Sequence, residues 1–297
     1  MKDLEYFKSK KFGRSSETDI SQSEFKSLRR LEDLLSEQIS NPDAIRKIRL
    51  GEFKEEYLRN LVYTGFSVKK SRVSAIKIRD LNLTDYPEVL NEFKELEYLD
   101  LSNNHIHQIP ESISNLQKLK TLDLSSNDLI DLPETFFNII SLKKLKLTNN
   151  PFEQLSKSIE NLANLKSFHF GNFNILRIPR AIGNITALKT LSLTFSTSGV
   201  IPETIGNLVN LERLSLSGNE ITSLPKTFRY LKNLEFLYLY TLRTTILPEI
   251  LLDLPSLFNL ILDGEVANVA ISGFEPDDRT KHIKDELQKR GVEFDVP

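Results

Sequence analysis

Few residues of this 297-residue chain combine a reactive side chain with a spacing suited to catalysis. The chain has no cysteine, which excludes disulfides, thiolate metal sites and cysteine nucleophiles. It contains neither the GxxxxGK loop that cradles phosphates nor the HExxH spacing of a helical zinc site. His105 and His107 could together hold a metal ion, but two neighbouring loop histidines are more often solvated. We therefore predict no catalytic residue, no metal site and no cofactor.

The remaining candidates are His169, Asp100 and Asp123, and they favour recognition over catalysis. Spacing alone places no hydroxyl nucleophile with a paired carboxylate beside His169. Asp100 and Asp123 stand one repeat interval apart, and we expect them to be neighbours on adjacent strands. As two like charges they would either recognise a basic partner or form a solvated acidic patch.

A 23-residue repeat positions these residues. One interval is doubled, with Ser156 at the missing position, and an apolar residue precedes every repeated proline. The LxxLxLxx stretch of each unit alternates with period two and predicts a short strand with inward-facing leucines. The asparagine that follows fits a buried turn, and the proline suits the start of a helical turn. The repeated prolines are Pro87, Pro110, Pro133, Pro179, Pro202, Pro225 and Pro248.

Single units of this kind cannot fold alone, because about seven buried apolar side chains do not offset the backbone entropy of ordering a whole unit. Stacked units must share a core, and helical turns are wider than strands, so the stack bends with its strands inside. We predict an α/β solenoid, a curved horseshoe with parallel strands on the concave face, short helical turns on the convex face and a helical N-terminal cap.

The unit resembles the leucine-rich-repeat family, in its 23-residue LxxLxLxxNxLxxLPxxIxxLxx type, over residues 73–256 as eight units with a degenerate ninth. It is similar to intracellular Ras-group leucine-rich-repeat proteins. The resemblance implies a protein partner, with a small GTPase or a phosphatase as the class suggested by family analogy alone.

The domain prediction has four parts: a flexible tail at 1–20, a helical N-terminal cap at 21–72, the repeats at 73–264 and a C-terminal cap at 265–297. Within the first cap we predict one helix that begins at Ser21 and is ended by Asn41 and Pro42, and a second helical stretch at about 43–63. A separate small interaction domain is the alternative for this region. The C-terminal cap should hold one helix within 276–291, and the VEFDV segment either pairs as a last strand or lies along the last repeat.

The predicted binding surface lies on the concave face and has two halves. Its early half carries charges in alternating blocks, and its later half is nearly uncharged and aromatic, with small residues forming a trough between aromatic side chains. Exposed aromatic side chains on a rigid strand indicate a partner, here a peptide or the apolar side chains of a protein. The alternative is that residues 264–297 fold back over them. The predicted partner-binding residues are Phe195, Phe236, Tyr238, Tyr240, His169, Arg213, Asp100, Asp123, Lys144 and Lys146.

Composition narrows the class of protein further. The formal net charge of −2 argues against nucleic acid as a partner, and no segment approaches the length of a membrane span. We predict a cytoplasmic, monomeric, non-catalytic protein-interaction module that serves as a scaffold or regulatory subunit. One alternative is the substrate-recognition part of an effector or ligase system whose catalytic component is a separate chain. Another is a structural or adhesion protein.

Overall fold

A computed structural model describes residues 20–38, 51–52, 64–171, 178–194, 199–219, 221, 223–239, 247–262 and 278–295. Within these ranges, twelve strands form one open sheet in which each strand lies beside its neighbours in sequence. All neighbouring pairs are parallel except β2 and β3. The strands are β1 (Gly51–Glu52), β2 (Gly65–Lys69), β3 (Arg72–Lys77), β4 (Tyr98–Asp100), β5 (Thr121–Asp123), β6 (Lys144–Lys146), β7 (Ser167–Gly171), β8 (Thr190–Thr194), β9 (Arg213–Ser215), β10 (Phe236–Leu239), β11 (Asn259–Leu262) and β12 (Glu293–Asp295).

The opposite face carries one short 3-10 turn per repeat. Seven turns follow a repeated proline, and the fourth follows Ser156, whose Oγ accepts a hydrogen bond from the Ser158 amide at 3.1 Å. The serine thus supplies a side-chain cap where the other repeats have proline. The turns are η1 (Glu88–Glu92), η2 (Glu111–Asn115), η3 (Glu134–Asn138), η4 (Lys157–Asn161), η5 (Arg180–Asn184), η6 (Glu203–Asn207), η7 (Lys226–Tyr230) and η8 (Glu249–Asp253).

The repeat leucines form one continuous core between sheet and turns. The central strand residues stack in register as Leu99, Leu122, Leu145, Phe168, Leu191, Leu214, Leu237 and Leu260, and each is 0% exposed. Each repeat shares this core with its neighbours, as a unit too small to fold alone requires. The predicted solenoid with parallel strands on the concave face is confirmed.

A buried asparagine follows several of the strands, as predicted. Each one forms hydrogen bonds with backbone atoms of its own repeat and of the preceding repeat. Asn127 is 4% exposed; its Oδ1 accepts from the Ile106 amide at 3.1 Å, and its Nδ2 donates to the carbonyls of Leu101 and Leu124 at 3.0 Å. Asn150 repeats the pattern with the Leu129 amide at 3.1 Å. These amides satisfy backbone groups that a strand-to-turn corner would otherwise leave without partners.

The N-terminal end is only partly helical. Helix α1 (Gln22–Gln38) packs against η1, with Leu28, Leu31 and Leu35 fully buried. The predicted helical N-terminal cap is present as α1, and beside it β2 and β3 form an antiparallel hairpin, with residues 51–52 as strand β1. Most of the second predicted helix, at 43–63, and the tail at 1–19 lie outside the described residues. The boundaries at 20, 72 and 264 stay predictions.

At the C-terminal end, one helix and one strand pack onto the last described repeat. Helix α2 (Asp278–Lys289) buries Ile283 and Leu287, and it packs beside η8. Gly291 follows it with φ of 81°, the left-handed conformation that glycine adopts easily at a helix end. Strand β12 then pairs in parallel with β11, so of the two placements predicted for VEFDV the pairing as a last strand is the observed one.

Candidate functional site

Strand register places the predicted surface residues in rows that cross the concave face. One row runs through Asp100, Asp123, Lys146, His169, Ser192, Ser215, Tyr238 and Ile261. The row beside it runs through Tyr98, Thr121, Lys144, Ser167, Thr190, Arg213, Phe236 and Asn259. Successive members of a row lie about 4.8 Å apart, the spacing of hydrogen-bonded strands. Eight of the ten predicted partner-binding residues therefore belong to one continuous surface.

The two aspartates are neighbours, as predicted, but they do not form a solvated acidic patch. Asp100 and Asp123 are 4% and 7% exposed. Asp100 lies 3.8 Å from the Lys77 ammonium, and Asp123 accepts from Lys146 Nζ at 2.7 Å. Each carboxylate also accepts from the amide and hydroxyl of the serine two residues later in its own strand region. Along this row, Asp100 is thus paired with Lys77 and Asp123 with Lys146, so the charges of this part of the face cancel.

Positive charge collects where β6 meets β7. Lys144 and Lys146 flank Leu145, and His169 lies opposite Lys146 with its Nε2 3.0 Å from Ser167 Oγ. Partial burial, reinforced by the two lysines, lowers the pKa of His169 below its usual value. His169 is therefore neutral at physiological pH, and the lysines carry the charge. A neutral imidazole beside these lysines can donate a hydrogen bond to an anionic partner group.

The later half of the face carries an aromatic group with one cation. Arg213 is exposed, and its guanidinium carbon lies 4.5 Å from the centre of the Phe236 ring, a cation–π contact. Phe258 packs edge-on against Phe236 at 6.1 Å between ring centres and remains 48% exposed. Tyr238 lies in the same strand as Phe236 and is partly exposed. We call Arg213, Phe236, Tyr238 and Phe258 the aromatic cluster.

Two predicted site residues, Phe195 and Tyr240, lie outside the described residues, so the far wall of the predicted trough stays a prediction. The described part of the C-terminal segment, 278–295, packs beside η8 and β11. Its contacts include Arg279 with Glu249 at 2.5 Å and the Arg290 guanidinium with the Leu252 carbonyl at 2.7 Å. This part of the segment therefore closes the end of the solenoid.

Sequence reasoning missed a second charged feature at the edge of this face. Lys120, Lys143, Lys166 and Lys189 recur at the repeat interval, each directly before a strand. Their amides bond in succession, each to the carbonyl of the residue one repeat earlier, at 2.8–2.9 Å. We call these four residues the lysine ridge. The repeat interval is the signal that marks this row, but its positions lie just outside the alternating strand residues that predict the concave face. Phe258 occupies the same row and was missed for the same reason.

Within the described ranges, no group of three or more histidine, aspartate or glutamate side chains is placed to hold a metal ion. Neither α1 nor α2, the α-helices that the structure describes, has the length and apolar character needed to cross a membrane.

Parallel strands at a fixed interval, buried corner asparagines and one short turn per unit define a solenoid repeat protein. The model of a leucine-rich repeat region matches residues 66–198, and a leucine-rich repeat model matches 196–241. Together the two models cover residues 66–241, and this part of the chain is a leucine-rich-repeat solenoid. The comparison with curated proteins gave no match.

Several solved structures share the fold. The plant peptide hormone receptor RGFR1, solved in complex with RGF2, is 32% identical with a TM-score of 0.57, covering 64% of this chain and 32% of that one. The PEPR1–AtPEP1 structure is 25% identical with a TM-score of 0.57, covering 78% and 38%. An internalin from Listeria monocytogenes is 16% identical with a TM-score of 0.51, covering 82% and 72%, and shows the fold alone. The chain spans about a third of the length of the first two.

Proposed function

We propose that this protein is a non-catalytic interaction module that holds a segment of a protein partner against its concave face. The aromatic cluster is the anchor. The observation that carries the proposal is the partly exposed Phe236 and Tyr238 on a strand whose backbone is fixed on both sides by β9 and β11. Aromatic side chains and arginine dominate binding energy at protein interfaces, and a pre-ordered surface loses little entropy on binding.

The similarity to RGFR1, whose structure contains RGF2, supports a peptide segment as the bound form of the partner. The role we propose for the module is that of a scaffold or regulatory subunit in the cytoplasm. A small GTPase or phosphatase as the partner rests on the resemblance to Ras-group repeats alone. The absence of cysteine is compatible with a reducing compartment.

The test is affinity capture from native lysate with the wild type, a Phe236→Ser/Tyr238→Ser variant and a Tyr230→Ser control. Tyr230 is 56% exposed and lies in η7 on the opposite face, so its loss removes an exposed aromatic ring without touching the concave surface. We expect the wild type and the control to retain the same partner and the double variant to lose it, with all three keeping the far-UV spectrum of the fold. Equal capture by all three proteins would reject the concave face as the site.

A further inference from the structure

The lysine ridge is a bounded row of positive charge. It begins after Glu97 and ends before Glu212 and Glu235, which occupy the same row one and two repeats later. Its two outer members are paired, Lys120 with Glu97 at 2.8 Å and Lys189 with Glu212 at 2.5 Å. For the two inner members, Lys143 and Lys166, no carboxylate of the described part of the chain lies within ion-pair distance. The uncompensated charge is therefore concentrated at the centre of the ridge.

Neighbouring groups add to this positive charge. Lys144 lies next to Lys143 on the concave face, and Lys146 follows two residues later, paired with Asp123. The hydroxyls of Ser167 and Thr190 occupy the next positions of the Lys144 row and are partly exposed. Ammonium groups flanked by hydroxyl donors match carboxylate or phosphate oxygens.

We infer that the lysine ridge binds a short acidic stretch of the protein partner, laid across strands β5 to β8. The inference rests on the proposed function, since it names the chemistry of the partner held at the same sheet. Three strand spacings give a ridge about 14 Å long, which an extended chain covers with about four or five residues. Side chains two residues apart in that chain lie on the same side, so two or three acidic side chains can reach the ridge together.

Charge distribution favours a protein segment over a nucleic acid. A phosphate backbone that continued along the row in either direction would meet Glu97 or the pair Glu212 and Glu235. Nucleic-acid sites usually neutralise more phosphates than two uncompensated lysines can, and the net charge of −2 gives no long-range attraction to a polyanion. A short acidic stretch of a protein, continued by uncharged or basic residues, avoids repulsion by these glutamates and needs only a few cationic groups.

The test measures binding of a fluorescein-labelled oligoglutamate peptide of about six residues, slightly longer than the ridge, by anisotropy at low and physiological salt. The test variant is Lys143→Glu/Lys166→Glu. Its matched control is Lys157→Glu/Lys226→Glu, which makes the same change in net charge at exposed lysines of η4 and η7. We expect the ridge variant to bind about tenfold more weakly or worse, because attraction becomes repulsion at two positions, and the control to bind within about twofold of the wild type.

His169 gives an independent readout of where the peptide binds. Burial is the main cause that lowers the pKa of His169, and the charges of Lys144 and Lys146 add to it. Carboxylates bound near the two lysines offset this second contribution, so an NMR titration should show the His169 pKa rise on adding peptide. The other three histidines, His105, His107 and His282, serve as internal controls.

Three results of the binding assays would overturn the inference: no binding by the wild type, equal losses in the ridge and control variants, or tighter ridge-dependent binding of oligothymidylate or phosphatidylserine vesicles than of oligoglutamate. The last would assign the ridge to a nucleic acid or a membrane. Partner capture separates the two proposals. If the Phe236→Ser/Tyr238→Ser variant loses the partner while the ridge variant retains it, concave binding stands and the acidic stretch is rejected.

Discussion

Replacing Asn127 with leucine tests how the solenoid corners are held. Leucine has nearly the same size and keeps water out, so the change removes the amide without opening a large cavity. The Ile106 amide then loses its partner, whereas the carbonyls of Leu101 and Leu124 each lose one of two donors and keep Asn104 Nδ2 and Asn150 Nδ2, both at 2.9 Å. An unsatisfied buried backbone group costs about 1–3 kcal/mol, so the free energy of unfolding should fall by about that amount.

Urea unfolding followed by far-UV circular dichroism measures this loss. With a slope of about 3 kcal/mol per molar urea, the midpoint should fall by about 0.3–1 M. Asn138→Leu is the control, because Asn138 ends η3 with an exposed side chain. Hydrogen exchange gives a local check, since the Ile106 amide should lose protection in the Asn127 variant. Equal midpoints for the two variants, or an Ile106 amide that stays protected, would refute the reasoning.

Two further changes probe the packing of the turns and the buried ion pair. Gly206→Ala would place a Cβ 2.5 Å from the Cβ and carbonyl oxygen of Thr227, so η6 and η7 must separate, and thermal unfolding should show a loss of about 1–3 kcal/mol. Asp100→Asn leaves the Lys77 ammonium, whose side chain is 2% exposed, without its carboxylate, and should cost about 3 kcal/mol in urea unfolding. The double variant Lys77→Met/Asp100→Asn should recover most of that loss.

Each of these changes has a matched control in another repeat. Ser114→Ala substitutes the residue of η2 that corresponds to Gly206, and it should be nearly neutral. Asp123→Asn should cost less than Asp100→Asn, because the Lys146 side chain is 36% exposed and water can solvate its ammonium. A Gly206→Ala protein as stable as the wild type would show that the turns can shift freely. A double variant no more stable than Asp100→Asn would show that the Lys77 charge is not the source of the loss.

The architecture could be predicted because the same constraint recurs in every unit. Each unit must bury its leucines against two neighbours, so the interval, the inward positions and the corner asparagine were all visible in the sequence. The register then follows, and with it the adjacency of Asp100 and Asp123. Their neutralisation by Lys77 and Lys146 could have been read from the same register, but the aspartates were considered without the strands on either side.

The N-terminal hairpin could not be predicted in this way, because it occurs once and no interval constrains it. Its turn also lacks the usual signal. Tight hairpin turns with positive φ favour glycine and asparagine, whereas here Lys70 and Ser71 adopt φ of 51° and 59°. The hairpin is held instead from outside, where Glu24 of α1 accepts a hydrogen bond from the Val73 amide at 3.0 Å. Tertiary contact therefore selects a turn that local sequence does not favour.

The two proposed contacts together restrict the order of residues in the partner. The lysine ridge precedes strands β5 to β8, and the aromatic cluster occupies β9 to β11, so a single segment crossing the sheet meets the two surfaces in succession. Lys166 is the ridge lysine without an ion pair that is nearer to the cluster, and Phe236 is an aromatic anchor of the cluster. Three strand spacings, or about 14 Å, separate them, a distance that an extended chain spans with about four residues. A segment that uses both surfaces needs its acidic residues and its apolar anchor separated by that length. Moving the two groups together in a synthetic peptide should cost affinity even when composition is unchanged, because only one of them can then reach its surface.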